Sequence, residues 1–236
     1  VLILLGLPKS TEFNKRIPKQ KFYENLSLTP AIRKAFTEQI KMIYWRNKLS
    51  AATLNLAPGE KVTEIELFEL KLASSDLDEK VLFLIDREIP YHILFLLERE
   101  GKHQAVMGFK EAAASGKMAF KVERYYHTEW MDEAELPLYL KGLTLDVVYE
   151  NFIRQIARSS LESSGNVTLK ESIERQKQRE QLEKQIAAQE AKIRNEKQPK
   201  KKFELVQQLH LLQAQRNVPK RRGEKNVLFP AEISGR

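Results

Sequence analysis

The chain has 236 residues, 42% hydrophobic and 31% charged, with a net charge of +8 and no cysteine. That length buries a real core, while the missing thiols exclude disulfides and thiolate metal sites and suit a reducing cytoplasm. The charge is uneven: residues 1–50 hold 10 Lys/Arg against 3 Asp/Glu, residues 51–160 hold 13 against 19, and residues 161–236 hold 17 against 10, so two basic ends flank an acidic middle and point to polyanions at the ends, or to one copy's ends against another copy's middle.

The opening VLILLGL is apolar but has no charged start and no small-residue cleavage site. It reads as a core strand or as an artefact of where the chain begins, not as a signal peptide. No run reaches membrane-spanning length, so a soluble, cytoplasmic protein is expected. Thr11–Leu28 (TEFNKRIPKQKFYENLSL) crowds Lys15, Arg16, Lys19 and Lys21 around Pro18 and sets Phe22 and Tyr23 beside them. This is either a phosphate-gripping arm with a stacking aromatic, or an extended segment whose aromatics are core anchors and whose lysines are merely wet.

Thr29-Pro30 starts a helix, Thr as cap and Pro in the first turn. Ile32, Phe36, Ile40, Ile43 and Tyr44 then predict one apolar helical face to about Lys48, with Arg33, Lys34, Lys41, Arg46 and Lys48 on the other. Those cations extend the basic patch of the arm.

Ala52–Leu56 suggests a short strand before the turn Ala57-Pro58-Gly59. Val62–Leu72 alternates, predicting a strand with one wet face and its glutamates Glu64, Glu66 and Glu69 as a solvated edge. Ser75 can cap a helix with Leu77, Val81, Leu84 and Ile85 as its buried stripe, ended by Ile89-Pro90. Tyr91–Leu97 is the candidate central strand, Glu98–Lys102 a hairpin turn and His103–Lys110 the return. Ala112–Gly116 turns again, and Lys117–Tyr126 points Met118, Phe120 and Val122 inward. A helix over Thr144–Arg158 repeats Val147, Val148, Phe152, Ile153 and Ile156 and closes the domain.

Beyond residue 160 the pattern changes. Leu182, Ile186, Gln189 and Ile193 step like a heptad seam, Gln198-Pro199 breaks it, and Leu205, Leu209 and Leu212 continue four and three apart. This predicts an antiparallel helical hairpin whose off-seam residues Leu169, Ile173, Phe203, Val206 and Leu211 offer a surface to a second copy or a larger enzyme. Lys200, Lys201 and Lys202 sit at its tip. Lys220, Arg221 and Arg222 lie in the tail, with solvation or disorder as the plain alternative.

The LGLPKSTEFNKRIPKQKFYE segment, the EIELFELKL strand, IDREIPYHILFLLE and the late KQPKKKFELVQQL together resemble an uncharacterised bacterial family, domain of unknown function number 4391. The resemblance spans most of residues 3–216 and implies a setting near DNA methyltransferase and helicase genes of restriction or phage-defence systems. It transfers no catalytic motif.

One enzyme signal stands out. Glu69-Leu70-Lys71 is an acid–x–Lys on a strand, the arrangement with which restriction-type nucleases hold Mg²⁺ and face the attacked phosphate, with Glu60 or Asp76 as the second acid. No Gly-rich phosphate loop occurs, and His92, His103, His127 and His210 have no partner at ligand spacing. No cofactor or metal is expected. Tyr125-Tyr126-His127 cannot converge as an acid–base cluster, since adjacent strand residues point to opposite faces.

The expected fold is α+β, with a mostly antiparallel sheet covered by helices over residues 1–160. A linker and C-terminal antiparallel helical hairpin (coiled coil) follow over 161–217, and a flexible basic tail over 218–236. The expected function is a non-catalytic accessory or adaptor subunit of a bacterial DNA-processing system, touching nucleic-acid backbone with low sequence specificity through its basic ends. The hairpin docks a helicase or methyltransferase, or forms a homodimer. The alternatives are a purely structural interaction module and a Mg²⁺-dependent nuclease.

Overall fold

In the computed structural model, residues 6–24, 28–112, 120–161 and 167–217 are described. The chain divides into two compact units, Val1–Leu169 and Lys170–Arg236.

The first unit is built on a six-stranded sheet in sequence order: β1 (Glu12–Ile17), β2 (Ile40–Ser50), β3 (Glu64–Leu72), β4 (His92–Arg99), β5 (Lys102–Ala112) and β6 (Phe120–His127). Every neighbouring pair is antiparallel except β3 and β4, which run parallel. That single crossover is made by α4 (Glu79–Glu88), because parallel neighbours need a long connection where antiparallel ones need only a turn. The β4–β5 turn is tight, with Glu100 and Gly101 both at positive φ, the backbone that two-residue hairpins favour.

Helices α1 (Gln20–Glu24), α2 (Pro30–Gln39) and α4 supply Phe22, Phe36, Val81, Leu82 and Ile85 to one face, against Ile43, Phe68, Leu70 and Phe95. Phe22 is thus a core anchor, its ring 5.6 Å from Phe36. On the other face α5 (Leu145–Ala157) packs Tyr149, whose ring lies 4.4 Å from His92 and whose hydroxyl donates to the Gly108 carbonyl and accepts from the Lys110 N–H. Asp146, in the first turn of α5, accepts the backbone N–H groups of Glu60, Lys61 and Val62 at 2.6–3.0 Å and so fixes the loop before β3.

Several expectations change. The helix begun at Thr29 ends at Gln39, and residues 40–50 form strand β2. Ile43, Tyr44 and Trp45 fit a pleated, half-buried surface better than a helix, and pairing on both edges satisfies their backbone groups. Lys19 then caps the shortened helix, donating to the carbonyls of Thr37 and Ile40. Residues 51–54 are not a strand but the short helix α3 (Ala51–Leu54), closed by a Ser50/Thr53 capping box and Asn55 in the left-handed region. The glutamates of β3 are not a solvated edge: β3 is an inner strand, and Glu66 and Glu69 are both 1% exposed, Glu66 beneath the Trp45 indole and Glu69 beneath Arg46, while Lys71 of the same strand still reaches solvent. The cap of α4 is Asp78 rather than Ser75, and Val147 is exposed rather than inward. Met118 and the Ala113–Gly116 turn lie outside the described residues.

The second unit is a helical hairpin of α6 (Leu169–Asn195) and α7 (Pro199–Asn217). Ile186 and Gln189 are buried and Leu182, Ile193, Leu205, Leu209 and Leu212 half-buried, which is the predicted seam. Gln189 reaches across it, its amide donating to the Leu205 carbonyl and to the Gln208 side chain. Such a polar residue fixes register in an otherwise apolar row. No helix among the described residues is long and apolar enough to cross a membrane.

Candidate nucleic-acid interface

Register brings chemistry together on the sheet face that α5 leaves open towards β1. Arg16, Tyr44 and Glu69 form one row across β1, β2 and β3, and Met42, Lys71 and Glu98 form the next across β2, β3 and β4. Directly paired residues share a face, and i and i+2 along a strand share it too. Arg16 is exposed, while Met42, Tyr44, Arg46 and Lys71 keep part of their surface in solvent.

At the centre sits the buried carboxylate of Glu69. Arg46 meets it with both Nε and Nη2, and the Lys71 ammonium lies 3.8 Å away on the other oxygen. Lys71 also faces Glu98 at 3.6 Å. The Arg46 guanidinium lies over the Tyr44 ring, 4.6 Å from its centroid, and the Tyr44 hydroxyl turns towards the Met42 sulfur. A buried acid therefore holds an arginine and a lysine at the surface, and an aromatic ring backs the arginine. Beside them an open cleft of about 420 Å³ is lined by Lys41, Lys71, Ser74, Ser75, Glu98 and Arg99. It lies at the carboxyl ends of the one parallel strand pair, β3 and β4.

The predicted cations divide accordingly. Arg16, Arg46 and Lys71 lie on this face, and Lys41 lines the cleft beside it. Lys15 lies over the Phe13 ring at 4.2 Å, Lys19 is committed to helix carbonyls, and Lys48 pairs with Glu64 at 2.9 Å. Lys21 and Arg33 are engaged within the chain, and Lys34 stands exposed on α2. Lys200, Lys201 and Lys202 are exposed in the first turn of α7. Lys220, Arg221 and Arg222 lie outside the described residues.

The nuclease arrangement needs a second carboxylate beside Glu69. Strand β2 instead places Tyr44 opposite Glu69 and sends Arg46 onto it, so the acid is already neutralised by cations. Glu60 lies on the Asp146 loop, and Asp76 accepts from Ser75 after β3. This donor set does not fit a divalent metal, and among the described residues no group of three or more metal-ligating side chains gathers.

Other clusters went unread in the sequence. Asp86 and Lys110, both with fully buried side chains, pair at 2.7 Å. Tyr125 donates to Asp86 at 2.5 Å and Lys110 to the Tyr91 carbonyl. Burial pushes the Asp86 carboxyl up and the Lys110 ammonium down, each opposed by the other's charge. At the start of β3, burial pushes Glu66 up to about 7 against the hydrogen bond from the Trp45 indole N–H, with Glu64 adding to the rise.

The fold is thus a mixed but mostly antiparallel α+β sheet domain followed by a helical hairpin. The chain belongs to the family described as Domain of unknown function (DUF4391), whose model matches residues 5–215. No curated protein and no solved structure matches it.

Proposed function

We propose that this protein is a non-catalytic accessory subunit that holds the nucleic-acid backbone on the open face of β1–β3 in a bacterial DNA-processing system. The supporting observation is the Glu69-anchored pair Arg46 and Lys71, flanked by Arg16 and Lys41 on a solvent-facing sheet. A buried carboxylate that orients cations outward lowers the cost of ordering them when a phosphate arrives. The lysines at the tip of α7 add a second, sequence-blind contact. The restriction or phage-defence setting is what the family resemblance implies.

Hairpin docking belongs to the same proposal, with a narrower surface than the sequence suggests. Leu169 and Ile173 are buried, whereas Phe203 and Leu211 are 65% and 66% exposed on α7. Those two are the residues offered to a partner enzyme or a second copy.

The test is fluorescence anisotropy of labelled oligonucleotides across a salt series. With about four phosphates neutralised, log affinity falls against log salt with a slope of about −3. Sequence changes in the oligonucleotide leave affinity unchanged, since phosphate contacts position without reading. Mg²⁺ produces no cleavage. Absence of binding at low salt overturns the proposal in favour of a purely structural module, and cleavage lost in both Glu69→Ala and Lys71→Ala overturns it in favour of the nuclease.

A further inference from the structure

We infer that the nucleic acid taken by this face is single-stranded, with one unpaired base laid on the Arg46 guanidinium. The inference rests on the sheet face being a nucleic-acid site and adds which form of nucleic acid it selects.

A phosphate alone needs only a positive charge, which a mobile lysine supplies. Arg46 is built differently. Two of its nitrogens meet the Glu69 carboxylate, its Cζ lies over the Tyr44 ring, and Glu69 is itself buried and braced by Lys71. The guanidinium is therefore held in place from two sides, while 24% of the Arg46 side chain still meets solvent. A planar cation held over an aromatic ring, with solvent access left to it, is a platform for a third flat group. Nucleobases stack on guanidinium planes as they do on aromatic rings. In a duplex those base faces are already covered by their neighbours, so only an unpaired base can use the platform.

The surroundings agree. The site lies on a sheet face built from β1, β2 and β3. Arg16 lies on β1 and Lys71 on β3, one strand to either side of Arg46, with Lys41 at the cleft beyond. Cations on both sides of a stacking plane suit a strand that crosses the sheet with its phosphates flanking one splayed base.

The experiment compares a single-stranded oligonucleotide with a hairpin duplex of equal length, both carrying 2-aminopurine, on the full chain and on Arg46→Lys. Single strand is expected to bind about tenfold to a hundredfold tighter than duplex, the scale of one stacked base, and 2-aminopurine fluorescence to be quenched. Arg46→Lys keeps the charge and loses the plane. It should bring single-strand affinity down to the duplex level and abolish the quench, while the salt slope stays the same. Equal affinity for the two forms, or unchanged quenching in Arg46→Lys, overturns the inference and leaves backbone binding intact. If neither form binds at low salt, the proposed function falls with it. Should Arg46→Lys melt early by circular dichroism, the form preference and quench of the unmodified chain decide the matter, and Tyr44→Leu, which removes the backing ring, is expected to weaken both.

Discussion

Replacing Lys110 by Met tests how the sheet's far end is held. Lys110 and Asp86 are 1% and 0% exposed at their side chains, so neither charge reaches water. The substitution fills the space with a similar volume but leaves the Asp86 carboxylate with only the Tyr125 hydroxyl. It also strips the Tyr91 carbonyl of its donor. Breaking a buried pair by removing one partner costs about 3–5 kcal/mol, a fifth or more of a domain stability of about 5–15 kcal/mol. For a unit of this size that lowers Tm by roughly 10 °C.

The loss should depend on pH in a direction set by burial. Burial already holds the Asp86 carboxyl above its usual value of 3.8 against the opposing Lys110 charge. Without that charge the folded carboxyl titrates higher still. Stability in the variant is therefore full below the unfolded value and lost as pH rises through the folded one. Adding Asp86→Asn keeps an acceptor for Tyr125, removes the charge, and should recover most of the loss without pH dependence. Urea titrations of the three proteins at pH 5 and pH 7.5 measure this. A single Lys110→Met variant within about 1 kcal/mol of the parent at pH 7.5 refutes the reasoning.

Three further outcomes are expected. Glu66→Gln removes a carboxyl that burial raises to about 7, so the parent loses stability between pH 5 and pH 8. The variant should be flat over that range, gaining about 1–2 kcal/mol at pH 8 after allowance for screening at the sheet rim. Asp146→Ala releases three backbone N–H groups of the loop before β3 and should cost about 2 kcal/mol in urea titration at neutral pH. Those hydrogen bonds outweigh burial and hold the Asp146 carboxyl below 3.8, so the parent's advantage shrinks as pH falls through the depressed value. Gln189→Leu exchanges a register-setting amide for an apolar side chain. Hairpin melting should rise while light scattering shows added oligomers, and an unchanged mass would mean that Gln189 sets no register.

Much of the fold was legible because local signals agreed with tertiary context. The apolar run of β4, the Thr144 cap of α5 and the Gln198-Pro199 break each act over a few residues. Strand β2 carries a helical signature in the sequence because Ile40, Ile43 and Tyr44 continue the three- and four-residue steps of α2. The β-favouring run Ile43-Tyr44-Trp45 was the signal that outweighs them once neighbours on both edges exist. The burial of Glu66 and Glu69 is not legible for a related reason: alternation shows two faces but not what covers them, and the Trp45 and Arg46 side chains that lie on these carboxylates come from β2, a strand the pattern presents as helix.

The candidate site was half legible. Arg16, Lys41, Arg46, Glu69 and Lys71 were all singled out, but under separate hypotheses, a basic patch and a nuclease motif. Only strand register shows that Glu69 opposes Tyr44 and receives Arg46. The Asp86–Lys110 pair, built from α4 and β5, had no local signature at all.

The most direct measurement is photo-crosslinking of the full chain to a 4-thiouridine-containing single strand, with the attached peptides mapped by mass spectrometry. Crosslinks should fall within residues 40–50 and 64–72, the β2 and β3 strands that carry Tyr44, Arg46, Glu69 and Lys71, and should disappear with Arg46→Ala. Crosslinks confined to the basic tail beyond residue 217, or retained in that variant, would contradict the account.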